Sequence, residues 1–596
     1  MKQNLIRFWL VCVSFTLLFV AVGVQMVRIQ HIPGAQQILD QSQFYQGVTQ
    51  TIYPERGNIY DDQGRLLAGN ETIYEVGIDL ASVKQPETIA TVASSVLGLD
   101  YMQTLTYAQM TPGGDNPVYV TLNGFVSKEK VAQLEIIRDE YENRVLKNNE
   151  TRPRLDGLMW TPHDKRSYPE GMLASNVLGF YGFLDRAQGI GYYGVEETYN
   201  TLLAGTPKKV YTAFDPQKIS DIDEIPPGAS LILTLDREIQ AMTEHVLDKA
   251  LEDSGAVSGV IVISNPEDGS IIAMTSTPRL DPNEYWKYLE TFTNTTPFNK
   301  AVSETYEPGS VFKIITLAAA LDAGAIKPET TFEDTGAISV GGTTVYNWDR
   351  GAWGTQDMTG CMQHSLNVCL AWIATQLGPD RFYSYVKAFG FDRITGIDLG
   401  SENNWPLALP GDENWWDANL ATNSYGQGIS VTPIQMVMAS GALANDGQMM
   451  APHVVKAMII DGKQYEVKPV VVGNPITRET AHTVTEMLTN SLKNEASAAL
   501  VDGYSVAGKT GTAEIAVPPF GYSSSETNAS FVGWGPSQDP KFLVYIWLEK
   551  PKSSIWSSEV VSPVFSELVS NLVVLMEIPP DDVRLNAAQP MEKASQ

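Results

Sequence analysis

The chain has 596 residues, of which 43% are hydrophobic and 18% charged, and a formal net charge of −28. That length exceeds one ordinary domain and supplies ample apolar material for a large core. The acidity, without any clustered stripe of Lys and Arg, excludes a nucleic-acid partner, because phosphates must be met by basic side chains. The six histidines are scattered and no HExxH or CxxC pairing occurs, so neither a metal nor a cofactor is expected. Cys361 and Cys369 stand eight residues apart in what reads as one continuous helix. About 12 Å of helical rise would separate them, beyond the reach of a disulfide, so no disulfide framework is expected.

In chain order, residues 8–27 (FWLVCVSFTLLFVAVGVQMV) carry no formal charge and are long enough to span a bilayer. Lys2 and Arg7 precede the run and Arg28 follows it closely. This bias puts residues 1–7 in the cytoplasm and the rest of the chain outside. Ala21-Val22-Gly23 offers a signal-peptidase-like site, but the apolar run continues past it, which favours an uncleaved anchor. Residues 28–50 read as a juxtamembrane linker. From 51 to 225 the pattern is mixed α/β, with strand-like YEVGIDL and NPVYVTL and a charged helix near 127–138. A polar Pro-Gly hinge, SDIDEIPPG, follows near 220. From 228 to 576 strand patterns at both ends (231–236, 258–276, 504–517, 528–549) enclose helical ones, which predicts an α+β unit with a sheet covered by helices. Residues 577–596 read as a loose tail.

Three short clusters carry chemistry. In YEPGSVFKIIT (306–316), Pro308-Gly309 opens a helix on which Ser310 and Lys313, three apart, share a face. A serine hydroxyl attacks well only when a base takes its proton. A lysine serves as that base only when neutral, which apolar surroundings, nearby positive charge and a helix start all favour. Spacing alone proves little: Ser127 and Lys130 repeat it in charged, wet surroundings and read as a capped surface helix. The second cluster, Ser365-Leu366-Asn367, lies 55 residues after Ser310 and adds a hydroxyl for proton relay and an amide that donates and accepts. Ser401-Glu402-Asn403, in a polar loop, is its decoy. The third, Lys509-Thr510-Gly511-Thr512, falls on a strand pattern, where the glycine permits close approach and Lys and Thr suit a carboxylate. The ordered trio S-x-x-K, S-x-N, K-T-G is the signature of penicillin-binding proteins and class A β-lactamases.

From the anchor to about residue 576 the chain resembles a class B penicillin-binding protein, a monofunctional peptidoglycan D,D-transpeptidase. RGNIYDDQGRLLA (56–68), RSYPEGMLASNVLGFYG (166–182), GIGYYGVEETYNTLLAG (189–205), NPEDGSIIAM, EPGSVFK, YGQGISVTPIQM (425–436) and AGKTGTAE carry the likeness. The resemblance implies a penicillin-binding/serine β-lactamase-like transpeptidase domain, a central antiparallel sheet with helices on both sides, over 228–576. It implies a dimerisation or pedestal domain over 51–225. Asp62 departs from the expected arginine and puts a pedestal salt bridge in doubt, and Val311 replaces the commoner Thr.

By resemblance, Ser310 is the nucleophile and Lys313 its base, Ser365 and Lys509 relay a proton, and Asn367 holds a peptide amide. Thr510, Gly511 and Thr512 bind substrate, Thr510 and Thr512 meeting the terminal carboxylate, and backbone amides of Ser310 and Thr512 form the oxyanion hole. His364 receives no role. Implied partners are peptidoglycan stem peptides on lipid-linked or nascent strands, β-lactam antibiotics, the membrane, and a multi-span glycan polymerase reached through the membrane helix and pedestal. Residues 528–553 look closer to the division type than to the elongation type. The alternatives are an elongation-type enzyme, a β-lactamase, for which no E-x-x-L-N type element is evident, and a non-catalytic β-lactam-binding scaffold or sensor.

Overall fold

Most strand signals on either side of the helical middle of the chain join into one sheet; LILTLD (231–236), expected with them, pairs instead in a second sheet with Ile59–Tyr60 and Val455–Ile460. The computed structural model describes residues 2–30, 47–113, 117–147, 150–184, 189–213, 225–516 and 521–592. In it Ser258–Ser264 (β1), Ile271–Ser276 (β2), Ala507–Ala516 (β3), Tyr522–Gly535 (β4) and Phe542–Glu549 (β5) form a five-stranded sheet in the order β2-β1-β5-β4-β3. Every pairing is antiparallel. β1 is buried along its whole length and β5 along all but Glu549. Strands covered on both faces read as unbroken apolar runs, as VIVI and FLVYIWL do.

Successive side chains still go to opposite faces. Val260, Val262, Tyr545 and Trp547 join a core shared with the Lys313–Asp322 helix. Ile261, Ile263, Val544 and Ile546 join a second core with the Arg237–Ser254 and Ser562–Leu575 helices. Helices therefore cover both faces, as the sequence predicts.

Contacts divide the chain into two compact units, Met1–Glu55 with Ala204–Gly228, and Arg56–Leu203 with Ala229–Gln596. The first contains the Lys2–Gln30 helix and an antiparallel pair, Gly47–Ile52 with Lys208–Ala213. Its apolar stretch Ile6–Arg28 has a mean hydropathy of 2.4 and buries none of its most apolar window, as befits a single-pass anchor. In the second unit a seven-stranded sheet interleaves early and late segments. Ile59–Tyr60 pairs in parallel with Ser230–Leu233, and Leu66–Asp79 pairs with both Tyr119–Val126 and Leu158–Ser167.

Charged groups fasten this interleaving. Glu196, fully buried, accepts from Arg56 Nε and Arg166 Nε at 2.8 Å each and from the Tyr168 hydroxyl at 3.1 Å. Burial pushes its carboxyl up, but Arg166 and Arg56 outweigh burial and hold it below the ordinary value. The bridge that Asp62 puts in doubt is made from another position. Arg65 donates to Asp61 at 2.6 Å and to Glu238 at 2.9 Å, while Asp62 pairs with Lys456.

Two expectations are corrected. Cys361 and Cys369 are bonded, with Cα atoms 6.0 Å apart. The chain is not one helix there: it breaks between Met358–Gln363 and Asn367–Leu377, and Ser365 at φ +52° folds it back. Where a loose tail is expected, Asp581–Glu592 is helical, tied down because the Asp581 carboxylate accepts from Ser505 N at 2.7 Å. The hinge over 220–224 and most of the juxtamembrane linker, 31–46, lie outside the described residues, as does 593–596.

Candidate active site

The nucleophile turn comes first. Gly309–Phe312 is a single 3₁₀ turn that runs directly into the Lys313–Asp322 helix. It is braced from behind by the YGQG stretch: Tyr306 and Val431 exchange backbone hydrogen bonds at 3.0 and 2.9 Å, and Gly309 N donates to Gly426 O at 3.0 Å. Ser310 stays partly exposed while Val311, Phe312, Lys313 and Ile314 are buried.

Lys313 is fully buried, and its amine reaches the second cluster. Nζ lies 2.7 Å from Ser365 O, 2.8 Å from Asn367 Oδ1 and 3.2 Å from Ser365 Oγ. The left-handed Ser365 makes this possible, because it ends one helix and lets the next begin at Asn367 within two residues. Few side chains but Gly and Asn adopt that conformation readily, and it recurs at functional sites. The disulfide closes the same loop from four residues before Ser365 to four after it. The amine donates to a carbonyl and to an amide oxygen. At 3.2 Å it also meets the Ser365 hydroxyl, a group that can give or take a proton.

The third cluster forms the opposite wall. β3 is the edge strand of the sheet and packs against the nucleophile turn. A Cβ on Gly511 would lie 2.8 Å from Val311 Cγ1 and 3.0 Å from Val311 N, so glycine is required for this approach. Gly309, at φ +59°, meets Thr512 O from the other side. Lys509 is fully buried, with Nζ 3.4 Å from Thr510 Oγ1. Ser557 holds the far end: its N donates to Thr512 Oγ1 at 3.1 Å and its hydroxyl to Gly511 O at 2.5 Å.

The eight expected residues thus fall on adjoining elements, Lys313 against Ser365 and Asn367 and the Lys509–Thr512 strand against the Ser310 turn, and the structure separates the decoys. Lys130 is exposed, and Ser401 lies in a loop whose Glu402 caps Thr395 instead. His364 stacks on Trp353 at 4.1 Å. Sequence reasoning missed two supports. Ser557 is one; it opens the short Ser557–Val560 helix, and no motif flags it. Glu307 is the other: Oε1 accepts from the Tyr522 hydroxyl at 3.2 Å, and burial pushes its carboxyl up. Its place three residues before the nucleophile was the available signal.

A serine beside a buried lysine, a hydroxyl–amide pair and a Lys-Thr-Gly edge strand define a serine acyltransferase of the penicillin-recognising kind. Residues 259–570 match the penicillin binding protein transpeptidase domain, and residues 51–225 match the penicillin-binding protein dimerisation domain. Stage V sporulation protein D of Bacillus subtilis is 31% identical over 542 residues, covering 88% of this chain and 79% of that protein. The peptidoglycan D,D-transpeptidase FtsI homolog of Mesostigma viride is 26% identical over 574 residues, covering 89% and 90%. Penicillin binding protein 3 of Mycobacterium tuberculosis, solved with ampicillin, has a TM-score of 0.67 at 24% identity and covers 89% of this chain and 97% of its own. The chain belongs to the class B penicillin-binding proteins. Its enzyme class is serine-type D-Ala-D-Ala transpeptidase.

Proposed function

We propose that these eight residues divide the transpeptidase reaction as follows. Ser310 Oγ attacks the carbonyl of the penultimate D-alanine in a donor stem peptide and passes its proton to Lys313. The C–N bond to the terminal D-alanine breaks, and the leaving amine takes a proton relayed through Ser365 and Lys509. An amine of a neighbouring strand then attacks the ester, forms the cross-link, and returns the proton to Ser310. Asn367 holds the peptide amide, while Thr510, Gly511 and Thr512 receive the terminal carboxylate. Backbone amides of Ser310 and Thr512 stabilise the oxyanion, each worth about 3 kcal/mol in such sites.

The observation that carries this reading is the buried Lys313 amine between Ser365 and Asn367, against the turn that presents Ser310. The full-length chain should form one covalent adduct with a fluorescent penicillin, mapped to Ser310 and abolished in Ser310→Ala. Labelling that persists at full strength in that variant overturns the assignment. A stable adduct, rather than rapid turnover of a chromogenic β-lactam, separates the transpeptidase from a β-lactamase. Failure of Ser310→Ala to complement growth separates it from a scaffold.

The catalytic unit is assigned to the outside of the membrane, over 228–576, with 51–225 as its pedestal. The Cys361–Cys369 disulfide supports this side, since such bonds persist in oxidising compartments. A septal role is favoured over an elongation role by residues 528–553. A multi-span polymerase docking on residues 8–27 and the pedestal is the expected partner, tested by crosslinking from within that helix.

A further inference from the structure

Residues 332–356, between the Lys313–Asp322 helix and the Ser365 turn, form two small antiparallel ladders, Phe332–Asp334 with Gly354–Gln356 and Ala337–Val340 with Thr343–Tyr346. The mechanism above uses none of their side chains. Two polar side chains of this segment are nevertheless buried, Asp334 at 1% exposure and Asn347 at 2%. Among the described residues the donors to the Asp334 carboxylate are all neutral. Asn347 Nδ2 at 2.7 Å and Trp353 N at 2.8 Å meet one oxygen, and Gly336 N at 3.2 Å meets the other. A buried charge without an ion pair is costly to keep, so stability is a poor account of it. A buried polar network whose members are satisfied holds one arrangement against its alternatives.

What Asp334 holds is the amide of Asn347. A carboxylate only accepts, so Asn347 turns its amide nitrogen to Asp334, and Nδ2 also donates to Gly351 O at 3.1 Å. Oδ1 is thereby aimed the other way, where it accepts from Val368 N at 3.2 Å. That N–H belongs to the first turn of the Asn367–Leu377 helix, whose cap residue is Leu366, with no side-chain hydrogen bond to offer. The first N–H groups of a helix lack partners within it, and a Ser, Thr, Asp or Asn at the cap usually accepts from one of them. Asn347 supplies that acceptor from outside the helix. Its neighbour completes the hold: Tyr346 O accepts from Asn367 Nδ2 at 3.2 Å, so Asn367 presents Oδ1 to Lys313 Nζ at 2.8 Å. Two adjacent residues, 346 and 347, thus grip two adjacent residues, 367 and 368.

We propose that Asp334 and Asn347 are positioning residues for the acylation step. They cap the Asn367–Leu377 helix from outside and keep the Asn367 amide in the orientation that turns its oxygen to Lys313. Both are too buried to touch substrate and act through Asn367. The inference rests on the roles proposed for Ser310, Lys313 and Asn367.

The test is the saturation kinetics of acylation of the full-length chain by benzylpenicillin, which separate the first complex from the covalent step. The final adduct yield reports the folded fraction. Asn347→Leu, branched alike but without polar atoms, should lower the covalent rate constant about tenfold or more, the scale of a displaced catalytic group. The dissociation constant of the first complex and the adduct yield should stay as in wild type. In an Asn367→Ala background the same substitution should cost less than about twofold, because the two residues act as one unit. Asn347→Asp sets two carboxylates against each other and should also be slow. Adding Asp334→Asn reverses that hydrogen bond, keeps an acceptor for Val368 N, and should restore most of the rate; this pair of variants decides the matter if Asn347→Leu fails to fold. An unchanged rate constant in folded Asn347→Leu overturns the proposal. So does a lower yield at an unchanged rate, which is what a merely structural role predicts, a loss fully additive with Asn367→Ala, or a double variant no faster than Asn347→Asp. Absence of any Ser310 adduct in the wild-type chain would instead overturn the site assignment itself, so the two failures are distinguishable.

Discussion

The S-x-x-K spacing recurs along the chain, and two of its copies have different fates. Ser127 starts the Lys128–Asn143 helix and Lys130 points into solvent. Ser310 also starts a helical segment, but Lys313 is fully buried and donates to Ser365 and Asn367. Helix geometry brings hydroxyl and amine together equally well in both. What separates them is what covers the amine: solvent in one case, and the Asn367–Leu377 wall together with a packed edge strand in the other. Burial of a cation also has a second outcome in this molecule. Arg56 and Arg166 are buried against a carboxylate, Glu196, and form a fastening. Lys313 is buried against a carbonyl, a hydroxyl and an amide, none of them a carboxylate.

The sharpest way to break this comparison is to fix the charge. Lys313→Arg keeps a cation and loses the base, because guanidinium does not deprotonate in proteins. Acylation should fall by about two decades or more, as for a lost general base. Lys509→Arg keeps the charge that faces the substrate carboxylate and should lose less. Equal losses, in folded variants, would mean that the two amines are not divided as base and electrostatic partner.

The fastening should behave oppositely, failing in stability before chemistry. Glu196→Gln leaves two buried guanidinium groups without their carboxylate and should cost about 3–5 kcal/mol, read by denaturant unfolding. The sign with pH follows from the depressed carboxyl. Its contribution is present above the ordinary value of 4.5 and is lost as pH falls through the lower folded value. The gap between wild type and Glu196→Gln should therefore narrow as the pH drops below that point, and a gap that widens would contradict the pairing.

A smaller effect should come from the staple behind Ser365. Cys361→Ser with Cys369→Ser removes an eight-residue cross-link worth roughly 2–3 kcal/mol by loop entropy. It also frees the Ser365 turn, so acylation should drop further than an unfolding measurement alone explains. Unchanged acylation at matched folded fraction would show that the turn holds itself. Smallest of all, Lys130→Ala should leave acylation unaltered and shift stability within about 0.5 kcal/mol, as at ordinary surface sites. A measurable loss of labelling there would erase the distinction on which the comparison stands.

Most of the architecture was legible because its signals are local. Continuous apolar runs gave the central strands β1 and β5, period and punctuation gave the Arg237–Ser254 and Lys313–Asp322 helices, and the three motifs marked one site in their order. The misreadings arose where a local pattern was interrupted by a single backbone choice. CMQHSLNVCLAW has an uninterrupted helical pattern, and nothing in it announces that Ser365 takes a left-handed conformation that halves the helix and joins two cysteines. Asp61 lost its expected neighbour in sequence and regained a cation from Arg65, four residues on.

By itself, then, the sequence determined the chemistry: which side chains exist, in what order, and on which kind of element each stands. Only the tertiary structure decided which lysine is buried against a serine and an amide, which cysteines bond, and that Trp348 meets Trp556, 208 residues later. The physical reason is that propensity and periodicity act over a few residues. Burial, proton affinity and ring contact depend on what distant segments bring to the same place.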